Sequence, residues 1–189
     1  GIEDIVLPNI SKLLLTTSEI ALKSKDFYTL KKIFSRFPAS REHSDTYIRL
    51  LSAIVHNDVS KATELTVELG EGITKYDNMA LRLACYCGAE EIAIMLLSNE
   101  LVRSSPHHLP SSANGFNIAV AGGHLGIINF ILETTPEYHY YAVADDNKSL
   151  TFAIQHKKTP VVLRLFDLGP ISRSLSYLRY YLLSFTLDQ

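Results

Sequence analysis

Apolar residues recur along this chain at intervals of 31 to 35 residues. Five segments align without gaps on a small alanine, and each has apolar residues at the same distances before and after it. Those anchor alanines are Ala21, Ala53, Ala84, Ala119 and Ala153. A fixed period of this length is typical of repeat architectures, in which each unit packs only on its neighbours.

Each copy predicts two short helices separated by a turn. Apolar residues lie three and one positions before the anchor alanine, and again nine, twelve and thirteen positions after it, which is the spacing of two amphipathic helices. Four positions after the anchor stand Lys25, Asn57, Gly88, Gly123 and Lys157. Glycine and asparagine tolerate the left-handed backbone that ends many helices, and we expect the two lysines to adopt it at a modest steric cost.

The predicted helices are about ten residues long, which is too short for stability in isolation. Each must therefore bury its apolar face against a neighbouring repeat. We predict an all-α solenoid of about five helical hairpins over residues 18–168, with capping helices at 1–17 and 169–189. Residues 1–17 could instead be the remains of an earlier repeat, and 169–189 could contact a further segment. Because the chain begins with Gly1 rather than Met, we expect it to be part of a longer protein.

The copies resemble the ankyrin repeat. The match is clearest over residues 78–97 and 114–132, where the Gly123-His124 pair stands at the turn between the helices. The Thr-Pro that opens an ankyrin inner helix is replaced here by Met79-Ala80 and Asn114-Gly115. Tetratricopeptide repeats share the period but have longer helices, and HEAT and armadillo repeats have periods of about 40 to 47 residues. Divergent copies of this kind are similar to those in ankyrin proteins that intracellular bacteria deliver into host cells.

The resemblance also implies where a partner binds. Ankyrin proteins grip their partners on a concave face, formed by the two residues after the small pair of each inner helix and by the preceding hairpin. Carried onto this sequence, those positions are Tyr47, Val55, His56, Tyr76, Asn78, Tyr86, Cys87, Asp145, Asn147, Gln155 and His156. Tyrosine suits such a surface because it offers a large contact area and a polar tip at low entropic cost. The alternative for any one tyrosine is that it stacks on its own neighbouring repeat.

Composition narrows the function classes. The chain has 189 residues, of which 47% are apolar and 20% charged, with a formal net charge of −2. This predicts one globular unit with no basic excess for nucleic acid or an anionic membrane. No apolar run reaches about 18 residues, so no membrane span is expected. Two closely spaced cysteines, Cys85 and Cys87, form no disulfide framework and favour a reducing, cytoplasmic compartment, which for a bacterial effector is the host cytoplasm.

The histidine, cysteine and carboxylate residues do not form a recognisable catalytic or metal-binding motif. His107 and His108 are adjacent in a proline-rich stretch, and adjacent side chains rarely converge on one ion. Cys85 is expected to be buried and inert, and no basic residue beside Cys87 lowers its pKa. The pairs Glu90-Glu91 and Asp145-Asp146 suit a solvated surface. We therefore expect no metal, cofactor, small-molecule substrate or catalysis in this segment.

The sequence thus predicts a protein–protein interaction module that binds on its concave face. Two alternatives stay open. The first is the targeting or regulatory domain of a larger multidomain enzyme, including a secreted bacterial effector, and the second is a structural spacer. Two long connections, 98–112 and 134–146, either project as additional binding loops or fold onto the neighbouring repeat.

Overall fold

A computed structural model describes residues 17, 20, 21 and 24 and the ranges 26–36, 45–104, 115–135 and 148–168. All regular elements within these residues are helical, so the predicted all-α class is confirmed for this part of the chain. The predicted caps at 1–17 and 169–189, apart from Thr17, lie outside the described residues, as does most of the 134–146 connection.

The described helices fall into two compact units, residues 1–109 and residues 110–189. Unit 1 contains α1 (Phe27–Arg36), α2 (Thr46–Val55), α3 (Val59–Leu69), a 3-10 helix (Gly70–Thr74), α4 (Lys75–Cys87), α5 (Glu90–Ser98) and α6 (Glu100–Ser104). Unit 2 contains α7 (Gly115–Gly122), α8 (Leu125–Thr134), α9 (helical residues 148–155) and α10 (Thr159–Phe166). None of these helices is long and apolar enough to cross a membrane.

The five copies share one turn. In each copy the anchor alanine is buried, and its carbonyl oxygen accepts a hydrogen bond of 2.8 to 3.0 Å from the backbone N–H five residues later. The carbonyl of that later residue in turn accepts from the N–H four residues further on, which starts the second helix. The residues that both end one helix and begin the next are Asp26, Asp58, Ala89, His124 and Lys158. This bond is the one that closes a Schellman motif.

The predicted left-handed residue is present in four of these turns. The angle φ is 54° at Asn57, 72° at Gly88, 84° at Gly123 and 55° at Lys157, while Lys25 lies outside the described residues. Two aspartates strengthen the next helix, since the Asp26 carboxylate accepts from the N–H of Thr29 and the Asp58 carboxylate accepts from that of Lys61, both at 3.0 Å. The local hairpin is therefore encoded in the repeat itself.

Within unit 1, the helices of consecutive copies pack like on like. The first helix of copy two, α2, packs on its own second helix α3 and on α4, the first helix of copy three. The second helices α3 and α5 also pack together. Their common core includes Leu50, Leu65, Leu83 and Leu96, which have no exposed surface. We call α2 and α4 inner helices and α3 and α5 outer helices.

Helix α1 departs from this arrangement. Its position in the repeat makes it the outer helix of copy one, which would place it beside α3. It packs instead on the inner helices α2 and α4. The Phe27 ring stacks on that of Tyr86, with centroids 5.6 Å apart and planes 25° from parallel. Helix α1 therefore packs on the inner helices of two consecutive copies.

In unit 2, two side-chain hydrogen bonds join equivalent helices of consecutive copies. The Ser149 hydroxyl donates to the Asn117 side-chain carbonyl at 2.8 Å, which links α9 to α7. The Arg164 Nε donates to the Asn129 side-chain carbonyl at 2.7 Å, which links α10 to α8. Unit 2 thus pairs its inner helices, α7 and α9, and its outer helices, α8 and α10.

Candidate protein-binding surface

The candidate surface of each unit consists of the side chains two and three residues after the anchor alanines of copies two to five. We call these the inner-helix surface: Val55, His56, Tyr86 and Cys87 in unit 1, and Ala121, Gly122, Gln155 and His156 in unit 2. Each pair lies where an inner helix ends and the shared turn begins. The turn geometry therefore fixes where these side chains stand on each hairpin.

In unit 2 this surface is open. Gln155 and His156 are exposed at the end of α9, while Ala121 and Gly122 are half-buried at the end of α7. The His124 imidazole lies directly against the Gly122 Cα, where any Cβ would collide with the ring. The His124 ring therefore leaves no room for a side chain at position 122. Gln155 and His156, at the end of α9, are accessible to a partner.

In unit 1 the second copy is also open at this point. His56 is exposed, and its Nδ1 lies 2.9 Å from the carbonyl oxygen of Ser52. That contact orients the imidazole with its Nε2 edge away from the helix. Val55 beside it is half-buried. His56 and His156 therefore occupy the same position of two copies and are exposed in both.

The third copy is covered by α1. Besides the stacked Phe27, the Lys31 Nζ lies 5.8 Å from the Tyr86 ring centroid. The Arg82 guanidinium lies 5.8 Å from the Phe27 ring centroid, and cations above aromatic faces are attracted to them. Burial raises the pKa of the Cys87 thiol to about 11, and the nearby Lys31 partly opposes this. Tyr86 thus contacts a helix of the same chain.

Two predicted surface residues lie in the interior. Tyr47 is buried, and its hydroxyl donates to the Lys75 carbonyl at 2.9 Å and accepts from the Ala80 N–H at 3.1 Å. Burial also raises its pKa, because the phenolate would lose its hydration. Asn78 is buried as well, and its side-chain N–H donates to the Val102 carbonyl at 3.4 Å. Neither side chain is available to a partner in this conformation, so we exclude both from the inner-helix surface.

The start of α4 has a feature that the sequence analysis missed. Tyr76, Asp77 and Asn78 all have left-handed backbones, with φ of 54°, 58° and 57°, before right-handed helix begins at Met79. This conformation exposes 42% of Tyr76, whose ring lies 5.5 Å from that of Tyr47, and turns Asn78 inward. Each residue of this kind costs roughly 1 to 2 kcal/mol. The only sequence signal is Asp-Asn, since these types tolerate a left-handed backbone better than others.

The remaining expectations can be placed briefly. Cys85 is fully buried, as predicted, and burial raises its pKa to about 12. Asp145, Asn147, His107 and His108 lie outside the described residues. Within the described ranges, no three histidine, cysteine or carboxylate side chains are grouped so that they could hold a metal ion. Comparison of the chain with protein-family models, curated proteins and solved structures finds no match.

Proposed function

We propose that this chain is an ankyrin-like helical solenoid that binds a partner protein through its inner-helix surface, without a cofactor and without turnover. The fold part of the proposal is supported by the turn shared by five copies at the predicted spacing. It is also supported by the packing of inner helix on inner helix and outer on outer within each unit. In repeat proteins such stacking builds long surfaces that are used for binding.

One observation carries the functional part. Positions nine and twelve residues after the anchor are buried in the second and fifth copies, at Ala62, Leu65, Val162 and Leu165. The position three residues after it is an exposed histidine in the same two copies, His56 and His156. The fold uses the first set for its core and leaves the second to solvent. Exposed polar side chains at a fixed place on a rigid scaffold are suited to recognition.

The class of partner follows from charge and thiol chemistry. The formal net charge of −2 favours a protein over a nucleic-acid backbone. Both described cysteines are unpaired, which fits a reducing compartment such as the cytoplasm. We expect the partner to meet imidazole and amide groups, and therefore to be bound by polar contacts.

Site-specific photocrosslinking tests the proposal. A photoreactive phenylalanine analogue replaces His56 or His156 in the full chain, and the two matched controls carry it at Val67 and Leu163. Those control positions are on outer helices and are 79% and 61% exposed. We expect a discrete protein adduct from each inner position and none from the outer positions.

The outcomes distinguish the alternatives. Adducts of equal yield at inner and outer positions would contradict a defined surface. No adduct at any position, together with an unchanged cellular phenotype for His56→Asp plus His156→Asp, would favour a structural spacer. Adducts to a domain of the same longer protein would favour a regulatory segment of a multidomain enzyme.

A further inference from the structure

Helix α1 shows what the face of α2 and α4 can hold. This face lies two residues before each anchor alanine, at Leu51 on α2 and Arg82 on α4, and both residues are buried. Beside Arg82 lies Tyr86, one helical turn later on the same face. This face is covered by a segment from earlier in the same chain.

Two residues of α1 that lie one turn apart, Phe27 and Lys31, are close to Tyr86, and the buried residues of the helix are Leu30 and Phe34. Phe27 stacks on Tyr86 and lies 5.8 Å from the Arg82 guanidinium, and the Lys31 Nζ lies 5.8 Å from the Tyr86 ring centroid. Residues four apart on a helix point to the same side. At Tyr86 this face thus meets an aromatic ring and, four residues later on the same helix, a cation.

Helix α1 is held by fewer buried side chains than the helices beneath it. Of its ten residues only Leu30 and Phe34 are buried, whereas α2, also of ten residues, buries seven. Its outer side is solvated and includes Tyr28, which is 63% exposed, with Lys32 and Arg36. Elements with few buried contacts open at lower free energy than the core they lie on.

We propose that the face of α2 and α4 is a helix-binding groove, that α1 is its built-in occupant, and that a partner helix bearing an aromatic residue and a lysine or arginine four positions later displaces α1. The proposal rests on the proposed function, because it names the partner class and the regulation of that surface. The apparent affinity for the partner helix is then the intrinsic affinity multiplied by the fraction of molecules in which α1 has left the groove. The partner and α1 compete for Tyr86.

Hydrogen exchange of the full chain tests whether α1 opens separately. Phe27→Ala removes the stacked ring, and Lys31→Ala removes the cation near Tyr86 as a milder second variant. Tyr28→Ala, on the exposed side of α1, is the matched control. We expect Phe27→Ala to speed exchange in α1 by about tenfold, with α2 and α4 unchanged, and Tyr28→Ala to change nothing. Simultaneous loss of protection in α1, α2 and α4 would make α1 part of the fold and overturn the proposal.

Thiol labelling gives an independent measure of the same opening. Cys87 lies beside Lys31 and is half-buried, and Cys85 is fully buried in the same protein. Opening α1 hydrates Cys87, so its pKa falls toward the ordinary value and its thiolate fraction at pH 8 rises by up to roughly 100-fold. We expect faster labelling at Cys87 alone in Phe27→Ala, located by mass spectrometry. Equal labelling rates in wild type and variant would contradict the proposal.

A peptide of residues 26–36 then probes the groove in trans. We expect it to bind the full-length Phe27→Ala chain about tenfold more tightly than wild type, and to lose this binding when Tyr86→Ala is added. A peptide with alanine in place of its own Phe27 and Lys31 serves as control. Equal affinity for wild type and variant, or binding that survives Tyr86→Ala, would overturn the proposal. A wild-type dimer abolished by Phe27→Ala would identify a second copy as the occupant, also against it.

The two proposals fail in different ways. Displacement of α1 by the peptide requires no cellular partner, so it can succeed where photocrosslinking at His56 and His156 finds none. Conversely, adducts at those histidines together with an immovable α1 would support the proposed function and reject the groove.

Discussion

The same register position is buried in one unit and partly open in the other. Two residues before the anchor alanine stand Leu51 and Arg82 in unit 1, and both are buried. The equivalent residues of unit 2 are Asn117 and Thr151, and both are half-buried. The turns that follow these residues are the same in both units, down to the hydrogen bond of the anchor carbonyl. The difference therefore does not arise from the hairpin.

It arises from what lies on the inner face. In unit 1, α1 packs on α2 and α4, and the Arg82 guanidinium lies 5.8 Å from the Phe27 ring centroid. In unit 2, the same face carries the hydrogen bond between Ser149 and Asn117. A cation–aromatic contact at Arg82 in one unit thus corresponds to a polar pair at Asn117 in the other. The repeat period specifies the hairpin, and residues that do not follow the period specify what packs on the inner helices.

We expect the largest effect from shortening the side chain two residues before the anchor alanine. Leu51→Ala leaves a cavity in a fully buried site, and we expect it to reduce the free energy of unfolding by about 3 kcal/mol. Thr151→Ala, at the equivalent half-buried site, is the control and should cost less than about 1 kcal/mol. Chemical denaturation with hydrogen exchange on peptides from each unit measures both. Equal costs would show that the two faces are equally buried.

The sequence predicted the hairpin well because each part of it has a local cause. Asn57, Gly88, Gly123 and Lys157 adopt the left-handed turn predicted from residue type and spacing, and the anchor alanines are buried as the period requires. The place of α1 could not be predicted. Its apolar residues Leu30 and Phe34 form a stripe that would fit an outer helix or an inner face equally well. The choice depends on the long-range contact between Phe27 and Tyr86.

A second test concerns the interior of unit 1. Tyr47→Phe removes the hydroxyl that satisfies both the Lys75 carbonyl and the buried Ala80 N–H. We expect a loss of about 2 kcal/mol, because an unsatisfied buried donor costs more than an average hydrogen bond contributes. Tyr76→Phe, at the exposed partner ring, is the control and should be nearly neutral. A neutral Tyr47→Phe would show that water replaces the hydroxyl.

The burial of Tyr47 could not be predicted from residue spacing. Tyr47 was predicted to face a partner because its position matches a hairpin residue of the ankyrin family. The left-handed run at Tyr76, Asp77 and Asn78 instead places backbone groups where the phenol reaches them. Nothing in residue spacing encodes that run, and only the packing of α2 against α4 determines which tyrosine is buried and which is exposed.

A double-mutant cycle measures the interaction energy between Phe27 of α1 and Tyr86 of α4. Phe27→Ala, Tyr86→Ala and the double variant isolate the stacking term, for which we expect a coupling of about 1 kcal/mol. Pairing Tyr28→Ala with Tyr86→Ala is the control cycle, since Tyr28 is exposed, and its coupling should be near zero. Unfolding in urea gives all the values. Absence of coupling between Phe27 and Tyr86 would remove the main contact by which unit 1 differs from unit 2.

The smallest expected effect tests what the two units share. Lys157 has a left-handed backbone with φ of 55° at a position where the third and fourth copies have glycine. Lys157→Gly relieves that strain, and after the larger entropy of the unfolded glycine is subtracted we expect a gain of about 0.5 kcal/mol. Asn57→Gly is the matched change in unit 1 and should be closer to zero, because asparagine tolerates this conformation. If Lys157→Gly destabilised unit 2, its turn would not be the strained equivalent of the glycine turns, and the two units would differ in their hairpins as well as in what packs on their inner helices.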